Sequence, residues 1–592
     1  MVEPENVNNF SLKIAGAAGD GILNAGLGMF AKTCIRAGLN AFANAEYPSL
    51  IRGGHNHLDI KINEKESHSQ SKNINILVAL NSESVTKHYK KITKGGAIIC
   101  DEELLEKTIK PIENELTKNE ITTYAIPLMK IATECGGKIF RNTVAIGATF
   151  ALTNFDLELL NTVIKDIFGK KGGDIINDNT KSAKMGYDYL NENYKHDFKY
   201  KLKPIEGNHN KILLSGHQAT VAGAIQAGCK FLSAYPMTPS TSVMINMASQ
   251  ERNYDLVVKH TEDEIASINM AIGASHAGVR AMTCTSGGGF CLMTEGFGLA
   301  SVTETPLVVV VSQRPGPGTG MATHTSQGDL KFILSASTDE APRVIIAPGD
   351  VDDAFYYTIQ AFDIAEKYQM PVVILTDKYM GESHKSTEFF DTSKIKTERK
   401  SMLINKEIKE GYLRYKITDS GISPRAIPGQ KNAMYCASSY EHDEEGFERE
   451  EEENRIKMHK KRFRKFENLK KELKDPELVG EKDADATIIS WGSTKGPVLE
   501  ALRILEKEGI KTNFLHLVIL SPLPIGKIKD VMKNAKKTFI IENNMTAQLA
   551  SIIKEESCLE FDHKILKYDG RAFDPEHIAE EVKSFLKGNR GE

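Results

Sequence analysis

PVVILTD, residues 371 to 377, is an aliphatic run too short for a helix and suited to a strand buried on both faces of a parallel sheet. PLVVVV (306 to 311) has the same character. Upstream, KILLSG (211 to 216), a helix over Gln218 to Ala227, the strand-like FLSAYP (231 to 236) and a helix from Glu264 to His276 alternate strand with helix. Strands separated by helix-length segments imply α/β construction around a parallel sheet.

The alternation recurs on both sides. SLKIAG (11 to 16), a glycine turn, a helix-like stretch from Ile22 to Ala37, INILVAL (74 to 80) and GGAIIC (95 to 100) make an N-terminal unit. The polar NENYKHDFKYKLKPIEGNHN (191 to 210) breaks the pattern as a linker would. Beyond residue 480, ATIISWGS (486 to 493), the helix GPVLEALRILEKEG (496 to 509), the strand FLHLVIL (514 to 520), TFIIENN (538 to 544) and the helix TAQLASIIKEES (546 to 557) form a third unit. The predicted fold class is therefore α/β with three parallel-sheet domains. They span 1–195, 211–390 and 483–592, with a linker at 196–210 and an irregular connecting segment with a charged helix at 391–482. In that segment Ile456, Phe463, Phe466 and Leu473 share one helical stripe, while residues 441 to 475 run from acidic to basic. This predicts a solvated helix whose charges follow its dipole.

Composition agrees with several ordinary cores. At roughly 100 to 200 residues per domain, the chain length points to three or four domains. Its 592 residues are 41% hydrophobic and 26% charged, as in soluble globular proteins. Lys plus Arg number 75 against 79 Asp plus Glu, so no basic excess points to nucleic acid. The start, MVEPENVNNF, is acidic and polar, unlike a secretory signal, and no aliphatic run approaches the ~20 residues that span a bilayer. The reading places the protein in the cytoplasm, with no membrane partner. Eight scattered cysteines contain no C-x-x-C pair, so no iron-sulfur or zinc site and no metal ligand is assigned to this chain.

Three glycine clusters and two proline loops carry the chemistry. Gly16-Ala17-Ala18-Gly19-Asp20-Gly21 lies between a strand and a helix, where outward amides suit a phosphate; a plain tight turn explains an isolated cluster equally well. Arg52-Gly53-Gly54 precedes an alternating strand and would set a cation and two unhindered amides beside that turn if the strands are neighbours. Gly19-Asp20-Gly21 with Asn44 also imitates a Mg²⁺-diphosphate motif, in a context that argues against it.

The strongest local signal is Tyr235-Pro236-Met237-Thr238-Pro239-Ser240-Thr241, whose prolines stiffen a loop at a strand end and orient Thr238. Glu264 heads an apolar, small-residue helix, where a half-buried carboxylate can hold or share a proton. A second glycine turn lies within TCTSGGGFCLMTEGFGLA (283 to 300). Arg314 then leaves the end of a buried strand into a loop stiffened by Pro315 and Pro317, placed to grip a carboxylate. An exposed loop arginine is the plain alternative.

YPMTPST (235 to 241), TEDEIASINMAIGASHAGVRAMTCTSGGGF (261 to 290) and QRPGPGTG (313 to 320), in this order, resemble the α subunit of a 2-oxoacid:ferredoxin oxidoreductase. GAAGDGI (16 to 22) followed by IRGGH (51 to 55) resembles the γ domain of the same enzymes, fused in front. PGQ (428 to 430), EHDEEG (441 to 446), ISWGSTKGP (489 to 497) and ENNMTAQLA (542 to 550) resemble further α-subunit landmarks, so nearly the whole chain is covered. The resemblance implies a Rossmann-like γ domain, a thiamine-diphosphate pyrimidine-type domain and a transketolase C-terminal-like domain.

It also implies CoA-dependent oxidative decarboxylation of a 2-oxo acid, with electrons passed through a [4Fe-4S] cluster to ferredoxin. Mg²⁺, the diphosphate site and the cluster would belong to a β subunit in an (αβ)₂ heterotetramer. By the same resemblance Glu264 hydrogen-bonds the aminopyrimidine of thiamine diphosphate and promotes its reactive tautomer. Tyr235, Pro236 and Thr238 line the cofactor side, and Thr238 and Arg314 bind the substrate carboxylate. Gly16, Gly19, Gly21, Arg52, Gly53 and Gly54 form the coenzyme A side; Asp20 stands where many γ domains have glutamine. The fused arrangement leans toward 2-oxoglutarate or broad specificity. A transketolase-like or decarboxylating thiamine enzyme without an iron-sulfur partner, and a stand-alone nucleotide-binding or scaffold protein, are the alternatives.

Overall fold

The computed structural model describes residues 6–50, 53–207, 210–393, 395, 399, 402–403 and 406–588. Its contacts divide it into two units. The residues up to Leu214, with Ser383–Phe390 and Asp574–His577, form one; Ser215–Glu382 and Asp391–Phe573 belong to the other.

The first unit is built on an eight-stranded sheet. In spatial order its strands are Thr122–Ile126, Ile92–Asp101, Ile74–Ala79, Phe10–Ala17, His55–Asn63, Asn40–Glu46, His384–Glu388 and Lys211–Ser215. The four from Thr122–Ile126 to Phe10–Ala17 are parallel. His55–Asn63 runs antiparallel to both of its neighbours, and His384–Glu388 antiparallel to Asn40–Glu46. The sheet is thus mixed where the sequence reading expected a parallel one. The cause is visible in the burial of His55–Asn63, where Leu58, Ile60 and Ile62 are buried and the residues between are half-buried. Such one-sided burial suits an antiparallel strand. Phe10, Leu12, Ile14, Phe30 and Phe150 anchor the core.

Two boundaries shift. Lys211–Ser215, read from sequence as the first strand of the second domain, hydrogen-bonds into the first unit's sheet, as does 384–388. The predicted linker is also packed: Leu202 N–H donates to Thr153 O at 2.9 Å and Ile205 N–H to Ala37 O at 2.7 Å.

The second unit holds two sheets. The larger runs Val257–His260, Phe231–Ala234, Ala281–Thr285, Leu307–Gln313, Pro371–Asp377, Val344–Ile346, Ile519–Ser521, parallel except for the last strand. The smaller runs Leu478–Gly480, Thr512–Leu517, Ala486–Trp491, Thr538–Glu542, His563–Leu566. FLHLVIL is therefore two strands in two sheets, Thr512–Leu517 and Ile519–Ser521. Val309, Val373, Trp491 and Leu515 share one core.

The connecting segment is held by buried cations. Arg414 donates to Gln369 Oε1 (2.9 Å) and Glu304 O (2.8 Å), and Arg425 and Arg399 reach Glu366 at 3.1 and 2.9 Å. The charged helix is Glu452–Glu472, and its buried face is not the apolar stripe. Met458, Lys461, Arg462, Lys465 and Leu469 are buried, whereas Ile456 is exposed. Lys461 and Lys465 both pair with the buried Glu304, Lys465 at 2.7 Å. Burial alone would raise the Glu304 pKa, but the two ammonium groups hold it well below the usual carboxylate range. The prediction of a solvated helix fails because paired charges can be buried together.

Among the described residues, no helix is long and apolar enough to cross a membrane.

Candidate active site

Four motifs leave the carboxyl ends of four adjacent parallel strands. Thr261–Glu264 follows Val257–His260, Tyr235–Thr241 follows Phe231–Ala234, Ser286–Gly289 follows Ala281–Thr285, and Arg314–Asp329 follows Leu307–Gln313. Ligands of open α/β sheets bind outside these ends.

Glu264 opens the helix Glu264–His276 and is 5% exposed. Asp263 caps that helix, its carboxylate accepting from Ala266 N–H at 2.7 Å, so Glu264 is left to point elsewhere. Its carboxylate makes no hydrogen bond or ion pair among the described residues. The space it fills exists because residue 289 is glycine: a Cβ there would stand 2.6 Å from Glu264 Oε1 and 2.1 Å from Thr285 Oγ1. Gly289 lies in the first turn of the helix Gly287–Val302.

A second carboxylate, Asp329, occupies the neighbouring gap. A Cβ on Gly287 would meet its Oδ2 at 2.2 Å. Oδ2 is buried without a hydrogen-bond partner, and burial raises the Asp329 pKa to about 6 against the pull of Arg314. The sequence reading missed Asp329. Its only sequence signal was its place in the loop after Arg314.

Arg314 and Thr238 do meet, through the backbone. Arg314 Nη1 donates to the Thr238 carbonyl at 2.7 Å, which locks one arm of the guanidinium; its Nε is buried without a partner. The Tyr235–Thr241 loop is fixed in turn by Ser240 Oγ donating to Met237 O at 2.7 Å. Tyr235 is exposed and Pro236 half-buried. Behind the loop, the fully buried His217 bridges Ser242 Oγ (2.5 Å) and Ser312 Oγ (2.9 Å), and burial lowers its pKa to about 4. A buried, neutral imidazole with both nitrogens satisfied is a structural brace, also missed from sequence.

A cleft of about 380 Å³ is lined by Arg314 and Asp329 together with Asn544, Gln548 and Tyr568. The 314–329 loop is pinned there. Gln327 Nε2 donates to Trp491 O at 2.8 Å, and Asn543 N–H to Gln327 Oε1 at 2.8 Å. Glu542, buried, accepts from Leu549 N–H and Ala550 N–H and so caps the helix Gln548–Ser557. These contacts account for the ENNMTAQLA stretch.

The comparisons decide the family. A model described as pyruvate flavodoxin/ferredoxin oxidoreductase, thiamine diphosphate-binding, matches residues 222–461. A pyruvate ferredoxin/flavodoxin oxidoreductase model matches 11–189, and a transketolase C-terminal model 477–588. A 2-oxoacid:ferredoxin oxidoreductase subunit alpha of Saccharolobus solfataricus is 33% identical over 98% of both chains. The chain belongs to this family, as an α subunit. The oxidoreductase also resembles, at 33% identity over 62% of this chain and 98% of the relative, a 2-oxoglutarate synthase subunit of Methanocaldococcus jannaschii. A solved 2-oxoglutarate:ferredoxin oxidoreductase from Magnetococcus marinus, with 2-oxoglutarate, coenzyme A and succinyl-CoA bound, superposes with a TM-score of 0.88 at 32% identity, covering 98% of this chain and all of that one.

In the first unit of this α subunit, the two glycine turns are neighbours: Ala17 pairs with His55, and Ala18 N–H donates to Gly54 O at 3.3 Å. Asp20 closes the first turn. Its carboxylate accepts from Ala17 N–H at 2.8 Å and pairs with Arg141 at 3.2 Å, and Asn142 Nδ2 donates to its carbonyl. Gly16 is the last residue but one of its strand Phe10–Ala17, while Gly19, Gly21, Gly53 and Gly54 all have positive φ. Arg52 lies outside the described residues.

Proposed function

We propose that this α subunit supplies half of a site for CoA-dependent oxidative decarboxylation of a 2-oxo acid, with a β subunit completing it and passing electrons to ferredoxin. The observation that carries the reading is Glu264, a buried carboxylate without a hydrogen-bond or ion-pair partner among the described residues, in a gap held open by Gly289. This geometry fits the aminopyrimidine edge of thiamine diphosphate. Bound there, the cofactor supplies the carbanion chemistry that decarboxylation requires. Glu264 holds a proton at the pyrimidine edge, and the loop Tyr235, Pro236, Thr238 borders it.

Arg314 takes the substrate carboxylate. One arm of its fork is fixed on Thr238 O, so the rest is aimed before substrate arrives. Thr238 positions that fork and lends its hydroxyl. A 2-oxoglutarate or broad 2-oxo-acid preference is supported by the names of the relatives. The neighbouring turns Gly16–Gly21 and Gly53–Gly54, with Arg52, form the coenzyme A side. Tyr235, Ile245, Ile265, Met270 and Leu292 are exposed on the loop and helices that carry the site and offer apolar contacts to the β subunit, which would carry Mg²⁺ and the [4Fe-4S] cluster in an (αβ)₂ assembly.

The test is 2-oxo-acid-dependent reduction of a viologen by the chain co-purified with its β subunit. Arg314→Lys should raise KM for every 2-oxo acid and leave thiamine diphosphate affinity unchanged. Arg314→Ala should also lower kcat, since each lost charge-assisted hydrogen bond is worth about 1.5–3 kcal/mol. Loss of cofactor binding at wild-type KM would overturn the assignment of Arg314. A stoichiometric cluster in the α chain purified alone would overturn the division of labour.

A further inference from the structure

The first unit gathers three histidines that the proposed reaction does not use. His55 and His57, two residues apart on the strand His55–Asn63, leave the same face of the sheet. His88, buried at the end of the helix Ser82–His88, meets them there. Ring centroids are 4.9 Å apart for His55–His88 and for His57–His88, and 5.8 Å for His55–His57. His55 Nε2 stands 2.7 Å from His88 Nε2. One ring nitrogen of each histidine lies within 4.8 Å of the other two.

The surroundings favour a ligand over a plain hydrogen-bonded cluster. A neutral imidazole pair can form one N–H···N bond, yet Nδ1 of all three rings is also buried without a partner. Lys13 is a cation near the cluster. Its ammonium is tied to Asp59 Oδ1 at 2.6 Å, while Asp59 Oδ2 lies 3.4 Å from His57 Nε2. That carboxylate both offsets Lys13 and can orient the His57 ring, as carboxylates do behind metal-bound histidines. The exposed pair Glu83–Lys87 completes the charged surroundings.

We propose that His55, His57 and His88 bind one divalent transition-metal ion of the zinc type, with a fourth position left for water or another ligand. Three imidazole nitrogens without a set of oxygen ligands suit Zn²⁺, Co²⁺ or Ni²⁺, and not Mg²⁺ or Ca²⁺. The ion would tie the start of a strand to the end of a helix, next to the Gly16–Gly21 turn through the Ala17–His55 pairing.

The test uses the full chain, stripped with a chelator and re-equilibrated with Zn²⁺. One equivalent should survive desalting and raise the Tm, and Co²⁺ should give the ligand-field bands of imidazole coordination. His57→Gln and His88→Gln should each lose the ion while matching wild type in circular dichroism and Tm with chelator present; His196→Gln should keep it. If the variants fail to fold, protection of the three rings from diethylpyrocarbonate by Zn²⁺ in the wild type replaces them. A wild-type chain that keeps no stoichiometric Zn²⁺, variants that bind it as the wild type does, or rings that Zn²⁺ leaves unprotected would overturn the site.

Discussion

Two glycine turns between a strand and a helix, Gly19–Gly21 in the first unit and Gly287–Gly289 in the second, need glycine for opposite reasons. In the first, Gly19 and Gly21 have φ of +91° and +75°, and a Cβ on Gly19 would touch nothing within 4 Å. The demand is on backbone conformation. In the second, the glycines are helical, and the space a side chain would take is filled by the carboxylates of Asp329 and Glu264. The demand there is on room. A glycine cluster between strand and helix therefore need not be a phosphate cradle.

Substitutions can break this contrast. The largest effect is expected from Glu264→Gln, which keeps the shape but removes the carboxylate. Viologen reduction should fall by about 10²-fold or more, with folding and subunit assembly intact. Activity within a few-fold of wild type would mean that the gap at Gly289 does not serve the reaction.

Gly289→Ala comes next. Its Cβ would stand 2.1 Å from Thr285 Oγ1 and 2.6 Å from Glu264 Oε1, so both side chains must give way, at some cost in Tm. Displacing the carboxylate by an ångström should cost about 10²-fold in activity. Equal losses of Tm and activity would show that Gly289 serves the fold alone.

Asp329→Asn tests the other occupant through pH. The folded pKa near 6 is above the usual aspartate value, so the native state binds the proton more tightly than the unfolded chain. Stability should fall as pH rises from about 4 to about 6 and stay lower above that window. The variant should therefore gain Tm relative to wild type at pH 8 and lose most of that gain at pH 4. An equal difference at both would exclude ionisation as the cause.

The smallest effect belongs to Gly19→Ala, where forcing an L residue into the left-handed region costs about 1–2 kcal/mol. A modest drop in Tm with unchanged thiamine diphosphate affinity is expected. An unchanged Tm would erase the distinction between the two turns.

The sequence carried the periodic features well. PVVILTD is the strand Pro371–Asp377, and Glu264–His276 is a helix over those residues. The order of YPMTPST, TEDE, SGGG and QRPGPG became meaningful when the parallel sheet set their strands side by side, since motifs after parallel strands emerge at one edge. Asp329 and His217 escaped notice because nothing local marks them. Their environments are made by residues far along the chain.

What the sequence determined by itself was α/β construction, its strand and helix periods, and the short-range motifs of one family. Tertiary structure alone decided which polar groups are buried and with whom. Lys461 and Lys465 read as solvent-facing until Glu304 is brought between them, and Ile456 reads as core until that helix turns it outward. Nothing in the sequence pairs His55 and His57 with His88, which the fold brings to within 4.8 Å of them. Apolar burial depends on side-chain type and repeats with the local period, whereas the burial of a charge or an imidazole depends on a partner that only the folded chain supplies.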